Sequence, residues 1–187
     1  MDLPCYIIQS SFSKELLEKM FNYYLNIDWK TTTFTFSGKE VTPSRKTFMF
    51  GIPYKYSGII QPAIHFDKKI LFIKHSIEKQ LNLPIDYFNA CLLNLYPSGE
   101  SSISYHKDDE PEMDKNAIIV SFSLGESRKF YLKNDNKNIK NRTLKLIVNN
   151  GDILIMKPEV QKNWKHSIPK EKNIIEPRIS FTFRKFL

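Results

Sequence analysis

The feature that most constrains this chain is a change of period at Asn89. Up to that point apolar residues recur at helical spacing in two stretches, and beyond it they alternate with polar residues every second position. The alternating runs at 90–96, 103–108, 117–124, 128–133, 143–148, 152–156 and 178–185 read as strands. Turn chemistry separates them, at Pro97-Ser98-Gly99, Gly125-Glu126 and Asn149-Asn150-Gly151. Short strands joined by tight turns predict an antiparallel sandwich or barrel.

The segment before Asn89 supplies helices. Ser13 to Leu25 has a capping serine, Glu15 in its first turn, and Leu16, Leu17, Met20, Phe21 and Tyr24 along one face. A second helix is predicted from Asp67 to Leu81, with Ile70, Ile73, Ile77 and Leu81 on one face and Pro84 beyond its end. Residues 30–60 read as strands and loops, with Thr and Phe alternating through Thr32 to Phe36 and a turn at Ser37-Gly38. The polar stretch from Lys133 to Arg142 predicts a long exposed hairpin loop. At 187 residues the chain is expected to form one α+β domain, with residues 1–89 dressing a β core at 90–187.

No apolar run reaches the roughly 18–20 residues of a membrane span, and Met1 to Gln9 lacks a basic region followed by an apolar one. An intracellular protein without membrane contact is expected. Cys5 and Cys91 are the only cysteines, which is no disulfide framework and fits a reducing compartment. The net charge is +8, and the excess is concentrated from Arg128 to Leu187, with 15 basic against 5 acidic residues. Such an excess fits a nucleic-acid partner, and equally a lysine-rich surface from a compositionally biased genome.

Four histidines limit the metal and acid–base chemistry available. His106-Lys107-Asp108 lies in an extended segment, where alternate side chains share a face and can reach one ion. His65-Phe66-Asp67 repeats the spacing, but Asp67 is better placed to cap the second helix. With 20 acidic residues in 187 the spacing recurs by accident, so its meaning depends on a third ligand. His166 is the natural one. Two histidines and a carboxylate on one face of a metal serve non-haem iron oxygenases and zinc hydrolases alike.

On the C-terminal strand, alternation places Arg178, Ser180, Thr182 and Arg184 on one face and Ile179, Phe181 and Phe183 on the other. Two of the five arginines in the chain thus share a strand face, as for gripping a small dianion or as solvated edge residues. Asn94 and Tyr96 form a second polar line, backed by Leu93 and Leu95.

Taken together, and in this order, Asn94-x-Tyr96, His106-x-Asp108, His166 and Arg178-x5-Arg184 resemble the AlkB family of iron(II)- and 2-oxoglutarate-dependent dioxygenases. The phrases His-Lys-Asp-Asp-Glu at 106–110 and Arg-Ile-Ser-Phe-Thr-Phe-Arg-Lys at 178–185 are similar to the DNA-repair branch, animal nuclear enzymes included. The resemblance implies a double-stranded β-helix, or jelly-roll, with the N-terminal helices packed on one face and a nucleotide-recognition lid. It implies Fe(II) held by His106, Asp108 and His166, and 2-oxoglutarate held by Arg178 and Tyr96 at one end and by Arg184 and Asn94 near the metal. Ser180 and Thr182 would line the same site. Ser180 stands where many members have Asn, which implies an altered affinity for 2-oxoglutarate.

By the same resemblance, molecular oxygen is the second co-substrate, and N-methylated bases of the 1-methyladenine and 3-methylcytosine type lose their methyl group as formaldehyde. Asp109 and Glu110 would sit near the damaged base, and Tyr54 or Tyr56 would stack on it. Arg45 would also contact the substrate, and Phe36 or Ser37 would fill the gap left by a flipped base. Lys133, Lys137, Lys140 and Arg142 would hold phosphates. A monomer acting on alkylated DNA, in nucleus or cytoplasm, is expected. The alternatives are an RNA-directed demethylase, a dioxygenase acting on protein, and a jelly-roll that grips nucleic acid without turnover.

Overall fold

Ser13 begins the first helix, α1 (Lys14–Leu25), by accepting the backbone N–H of Leu16 on its hydroxyl. Asp67 does the same for α2 (Lys68–Gln80), accepting from Lys69 and Ile70. The structure, a computed structural model, describes residues 3–31, 33–36, 38–53, 55–56, 59–60, 62–140 and 142–187. The side chains of 34–36, 39, 41, 55–56 and 59–60 lie outside that description.

Fourteen strands form among the described residues, and those beyond Asn89, one excepted, follow the period-two runs. They are β1 (Cys5–Gln9), β2 (Phe34–Phe36), β3 (Lys39–Val41), β4 (Lys46–Gly51), β5 (Lys55–Tyr56), β6 (Ile59–Ile60), β7 (Ala90–Tyr96), β8 (Ile103–His106), β9 (Ile119–Gly125), β10 (Arg128–Asn134), β11 (Thr143–Val148), β12 (Asp152–Met156), β13 (Trp164–Ile168) and β14 (Arg178–Arg184). A short helix, α3 (Pro158–Asn163), lies between β12 and β13. Among the described residues no helix is long and apolar enough to cross a membrane.

Two antiparallel sheets face each other. The larger has the order β1-β12-β9-β14-β7-β4 and the smaller the order β11-β10-β13-β8. Leu17, Met20 and Tyr24 of α1 and Ile70, Ile73 and Ile77 of α2 bury the outer face of the larger sheet, against Leu93, Leu95, Phe122, Ile179, Phe181 and Phe183. A second apolar layer fills the space between the sheets, with Leu92, Ile119, Leu154 and Met156 meeting Phe130, Leu132, Val148 and Ile168. Both faces of the central strands are therefore covered, and every residue of β7 and β14 is buried. This is the expected α+β jelly-roll with helices on one face.

The sequence reading assigns no strand to Cys5–Gln9, yet β1 pairs with β12 and closes one edge of the larger sheet. β4 closes the other edge by pairing with β7, so that sheet extends beyond residues 90–187. The expected strand at 103–108 ends at His106, and Asp108 lies just past it. Lys133 and Asn134 belong to β10, so the exposed part of the expected loop, among the described residues, is 135–140 rather than 133–142. The sequence does not mark the strand carrying His166 either, because α3 and its polar flanks hide the alternation of Trp164, His166 and Ile168.

Candidate active site

β14 runs between β9 and β7, in register Arg178↔Tyr96 and Ser180↔Asn94 on one side and Ser180↔Ser123 and Thr182↔Ser121 on the other. Its apolar residues face the helices, so Arg178, Ser180, Thr182 and Arg184 are turned into the space between the sheets. There they line one pocket with Asn94, Tyr96, His106, Asp108 and His166. Phe130, Met156 and Ile168 form its apolar wall.

The smaller sheet brings the two imidazoles together. His166 on β13 is the register partner of His106 on β8, and the ring centroids lie 4.2 Å apart. Asp108 completes the group, with Oδ1 3.6 Å from His106 Nε2. One ligand atom from each of the three lies within 4.8 Å of the others. His106 Nδ1 is 2.8 Å from the Ser104 carbonyl, which places the proton on Nδ1 and the lone pair on Nε2. Asp108 Oδ1 is buried with no hydrogen-bond partner among the described residues.

The charges suit a cation. Burial alone would raise the Asp108 carboxyl, but Arg184 and the two imidazoles outweigh it and hold it well below the usual carboxylate range. Burial lowers both histidines, and the neighbouring His106 adds to the effect on His166, which falls to about 3. Both rings are neutral at pH 7, as metal ligation requires. The three side chains fit a divalent metal.

Two groups hold Asp108, the expected site residue Arg184 and Gln161, which the sequence does not mark. Arg184 Nη2 donates to Asp108 Oδ2 at 2.7 Å, and the Asp108 N–H donates to Gln161 Oε1 of α3 at 2.9 Å. Lys107 points away and ties the same segment to the Lys162 carbonyl and to Asp135. Nothing in the spacing of Gln161 marks it, since its role depends on where α3 packs.

At the other end of the pocket Arg178 is 1 % exposed. Its Nη2 donates to Ser123 Oγ at 2.9 Å, while Nε and Nη1 have no hydrogen-bond partner among the described residues. Burial lowers this guanidinium to about 10, so it still carries its charge at neutral pH. The Tyr96 ring lies 5.5 Å from Arg178 and 5.6 Å from Arg128. Arg128 is itself anchored by Glu171 and by the Ser98, Ser101 and Pro169 carbonyls. A buried cation with donors to spare is costly unless an anion comes to it, so this end of the pocket fits a carboxylate.

The remaining candidates are more scattered. Arg45 is buried, and its Nε donates to Asn94 Oδ1 at 3.2 Å, which brings the 45–51 segment onto the pocket rim. Glu110 is half-buried, with burial raising its carboxyl and Oε2 lacking a hydrogen-bond partner among the described residues. Asp109 is exposed and lines a neighbouring cavity of about 310 Å³, together with Met113, Lys115 and Gln161. Lys137 and Lys140 are exposed after β10 and Arg142 is half-buried. Tyr54 and Ser37 lie outside the described residues, as do the side chains of Tyr56 and Phe36.

Comparison with known proteins agrees with this geometry. The family described as "2OG-Fe(II) oxygenase superfamily" matches residues 4–184. Alpha-ketoglutarate-dependent dioxygenase alkB homolog 3 of Bos taurus is 34% identical over 167 residues, covering 85% of this chain and 57% of the relative. DNA oxidative demethylase ALKBH2 of Bos taurus is 28% identical over 180 residues, covering 91% of this chain and 62% of the relative. The chain thus spans less than two thirds of the length of these relatives. Among solved structures, one titled "The structure of OsALKBH1" superposes with a TM-score of 0.68 at 17% identity, over 99% of both chains, which shows a shared fold.

Proposed function

The chain belongs to the 2OG-Fe(II) oxygenase superfamily, and on that premise we propose that it is an AlkB-type oxidative demethylase acting on N-alkylated bases in DNA. The observation that carries the reading is the pairing, in one pocket, of a His-Asp-His group with a buried Arg178 that has donors to spare. A hydrolytic zinc site has no use for a dianion cradle beside its metal. An oxygenase that consumes 2-oxoglutarate needs both.

His106, Asp108 and His166 would hold Fe(II), and Arg178 with Tyr96 would hold the distal carboxylate of 2-oxoglutarate. When bound, the iron would let molecular oxygen act as the oxidant, one oxygen atom passing to 2-oxoglutarate as it becomes succinate and carbon dioxide and the other to the N-methyl group, whose hydroxymethyl product leaves as formaldehyde. The protein's own part is positional. Arg184 and Gln161 fix the carboxylate ligand, Ser104 fixes the His106 tautomer, and Phe130, Met156 and Ile168 keep water from the pocket wall.

The substrate class rests on the names of the relatives, alkB homolog 3 and DNA oxidative demethylase, and on the basic C-terminal third. Lesions of the 1-methyladenine and 3-methylcytosine type carry a positive charge, which suits Asp109 and Glu110 beside the metal carboxylate. Tyr54, Tyr56, Arg45 and Phe36 would form the lid over the base, and Lys133, Lys137, Lys140 and Arg142 would hold the backbone. The test is formaldehyde release from matched DNA and RNA oligonucleotides bearing 1-methyladenine. A higher kcat/KM on DNA is expected, and a clear preference for RNA would move the assignment to an RNA demethylase.

A further inference from the structure

The smaller sheet has a second face, turned away from the pocket. Along β10 the residues alternate, with Phe130 and Leu132 buried toward the larger sheet and Lys129, Tyr131 and Lys133 outward. The register extends this outward row across the sheet. Tyr131 pairs with Lys145 of β11, and Lys133 pairs with Lys165 of β13. Tyr105 of edge strand β8 joins the same face, because Lys133 Nζ lies 5.6 Å over its ring. Lys145 Nζ lies 5.7 Å over the Tyr131 ring.

The composition of this face is biased. The four strands contain no Asp or Glu, although acidic residues make up 20 of the 187 in the chain, and all four of their lysines point outward. Lys129 shares Glu171 with Arg128, while Lys133, Lys145 and Lys165 make no ion pair among the described residues. A uniformly lysine-rich surface would scatter its charges and mix them with carboxylates. Here they stand within a patch of roughly 14 by 13 Å, from three strand spacings and four residues of rise. Two tyrosine rings lie between them.

We propose that this outer face is a track for single-stranded nucleic acid flanking the target base, its lysines taking phosphates and Tyr105 and Tyr131 offering surfaces for stacking. Lysines interleaved with aromatic rings are what a sequence-tolerant single-strand site requires, and the carboxylates near them, Glu171 beside Lys129 and Asp135 toward Lys165, lie outside the four strands. The path is short. Tyr105 and His106 are consecutive on β8, as are Lys165 and His166 on β13, with one of each pair facing out and the other lining the pocket. A strand leaving the pocket around the β8 edge would pass directly onto the track. The inference rests on the nucleic-acid reading above, and it concerns a surface apart from the metal pocket.

The experiment compares the wild-type protein with the variant Lys129→Gln/Lys145→Gln/Lys165→Gln, all three being surface lysines outside the pocket. Demethylation is measured on a lesion-bearing trinucleotide, which reaches the pocket alone, and on a long single strand with the same lesion. The variant is expected to match wild type on the trinucleotide and to show a several-fold higher KM on the long strand, with the corresponding Lys→Arg variant restoring it. The slope of log affinity against log salt, taken with an unmodified long strand, should fall by about 2, from about 0.7 per lysine on single strands. Unchanged slope and KM would overturn the track, as would equal losses on both lengths. Loss of binding to anionic lipid vesicles with strand binding intact would overturn it too, by assigning the face to a membrane. If wild type leaves the trinucleotide untouched, the demethylase reading fails, and the salt slope still decides the track because it needs no turnover.

Discussion

Arg184 Nη2 donates to Asp108 Oδ2 at 2.7 Å, with both side chains buried. This contact joins the metal group, presented by the smaller sheet, to the strand at the centre of the larger one. Arg178 lies six residues earlier on that same strand face, so one rigid element fixes the dianion cradle relative to the metal carboxylate.

Replacing Arg184 should therefore act through the metal. In Arg184→Met the Asp108 carboxylate loses its main compensating charge inside a buried site. Affinity for divalent metal should fall by about 10–100-fold, the usual cost of removing an outer partner of a ligand. Calorimetric titration with Mn(II) checks this, with Arg184→Lys retaining part of the affinity. Unchanged binding in Arg184→Met would detach Arg184 from the metal site.

Gln161 makes a separate prediction, because its Oε1 accepts from the backbone N–H of Asp108 while its Nε2 faces the Met156 sulfur. Gln161→Leu keeps the bulk of the side chain and removes the acceptor. The stranded N–H should cost about 1–3 kcal/mol in thermal or denaturant unfolding and loosen metal binding. Gln161→Glu restores an acceptor and should recover most of the metal affinity, a rescue that a mere packing role would not give.

At the far end of the pocket, Arg178→Met should raise the KM for 2-oxoglutarate about tenfold or more, the loss of a hydrogen-bonded charge pair. Ser180, between Asn94 and Ser123 on the adjoining strands, should tune the same constant. Ser180→Asn is expected to change the co-substrate KM and leave kcat near wild type. Steady-state 2-oxoglutarate consumption measures both, and an unchanged KM in Ser180→Asn would show that the residue has no part in co-substrate affinity.

Glu171 gives the pH dependence. Burial would raise its carboxyl, but the Lys129 N–H, the Arg128 guanidinium and the Lys129 ammonium outweigh that and lower it. A carboxyl lowered by folding adds stability above its unfolded pKa of about 4.3, and that stability is lost as pH falls through the folded value. Stability should therefore decline with acid below about pH 5, and Glu171→Gln should flatten the decline. Chemical denaturation across that range is the measurement, and parallel curves for the two proteins would contradict the role given to Glu171.

The site was legible in sequence wherever a strand period carried it. Alternation alone turned Arg178, Ser180, Thr182 and Arg184 to one side and Asn94 and Tyr96 with them, and β7 and β14 pair as that arrangement requires. The second carboxylate of the two His-x-Asp sequences, Asp67, caps α2 as its local context indicated. What stayed hidden depends on long-range packing. Gln161 reaches Asp108 only because α3 folds over the loop after β8, and Arg45 reaches Asn94 only because β4 closes the larger sheet beside β7. β1 is short and has no helical or turn signal, so its pairing with β12 comes from tertiary demand.

The most direct test of the account loads the protein anaerobically with Fe(II) and 2-oxoglutarate, then admits oxygen with an oligonucleotide bearing 1-methyladenine. Formaldehyde and repaired base are counted beside a His106→Ala control. Equal amounts of both products are expected from the wild-type protein and neither from the control. Succinate without either product would contradict the DNA assignment and move the substrate to RNA or protein, and a metal-loaded wild-type sample giving neither product nor succinate would contradict the demethylase and leave a jelly-roll that holds nucleic acid without turnover.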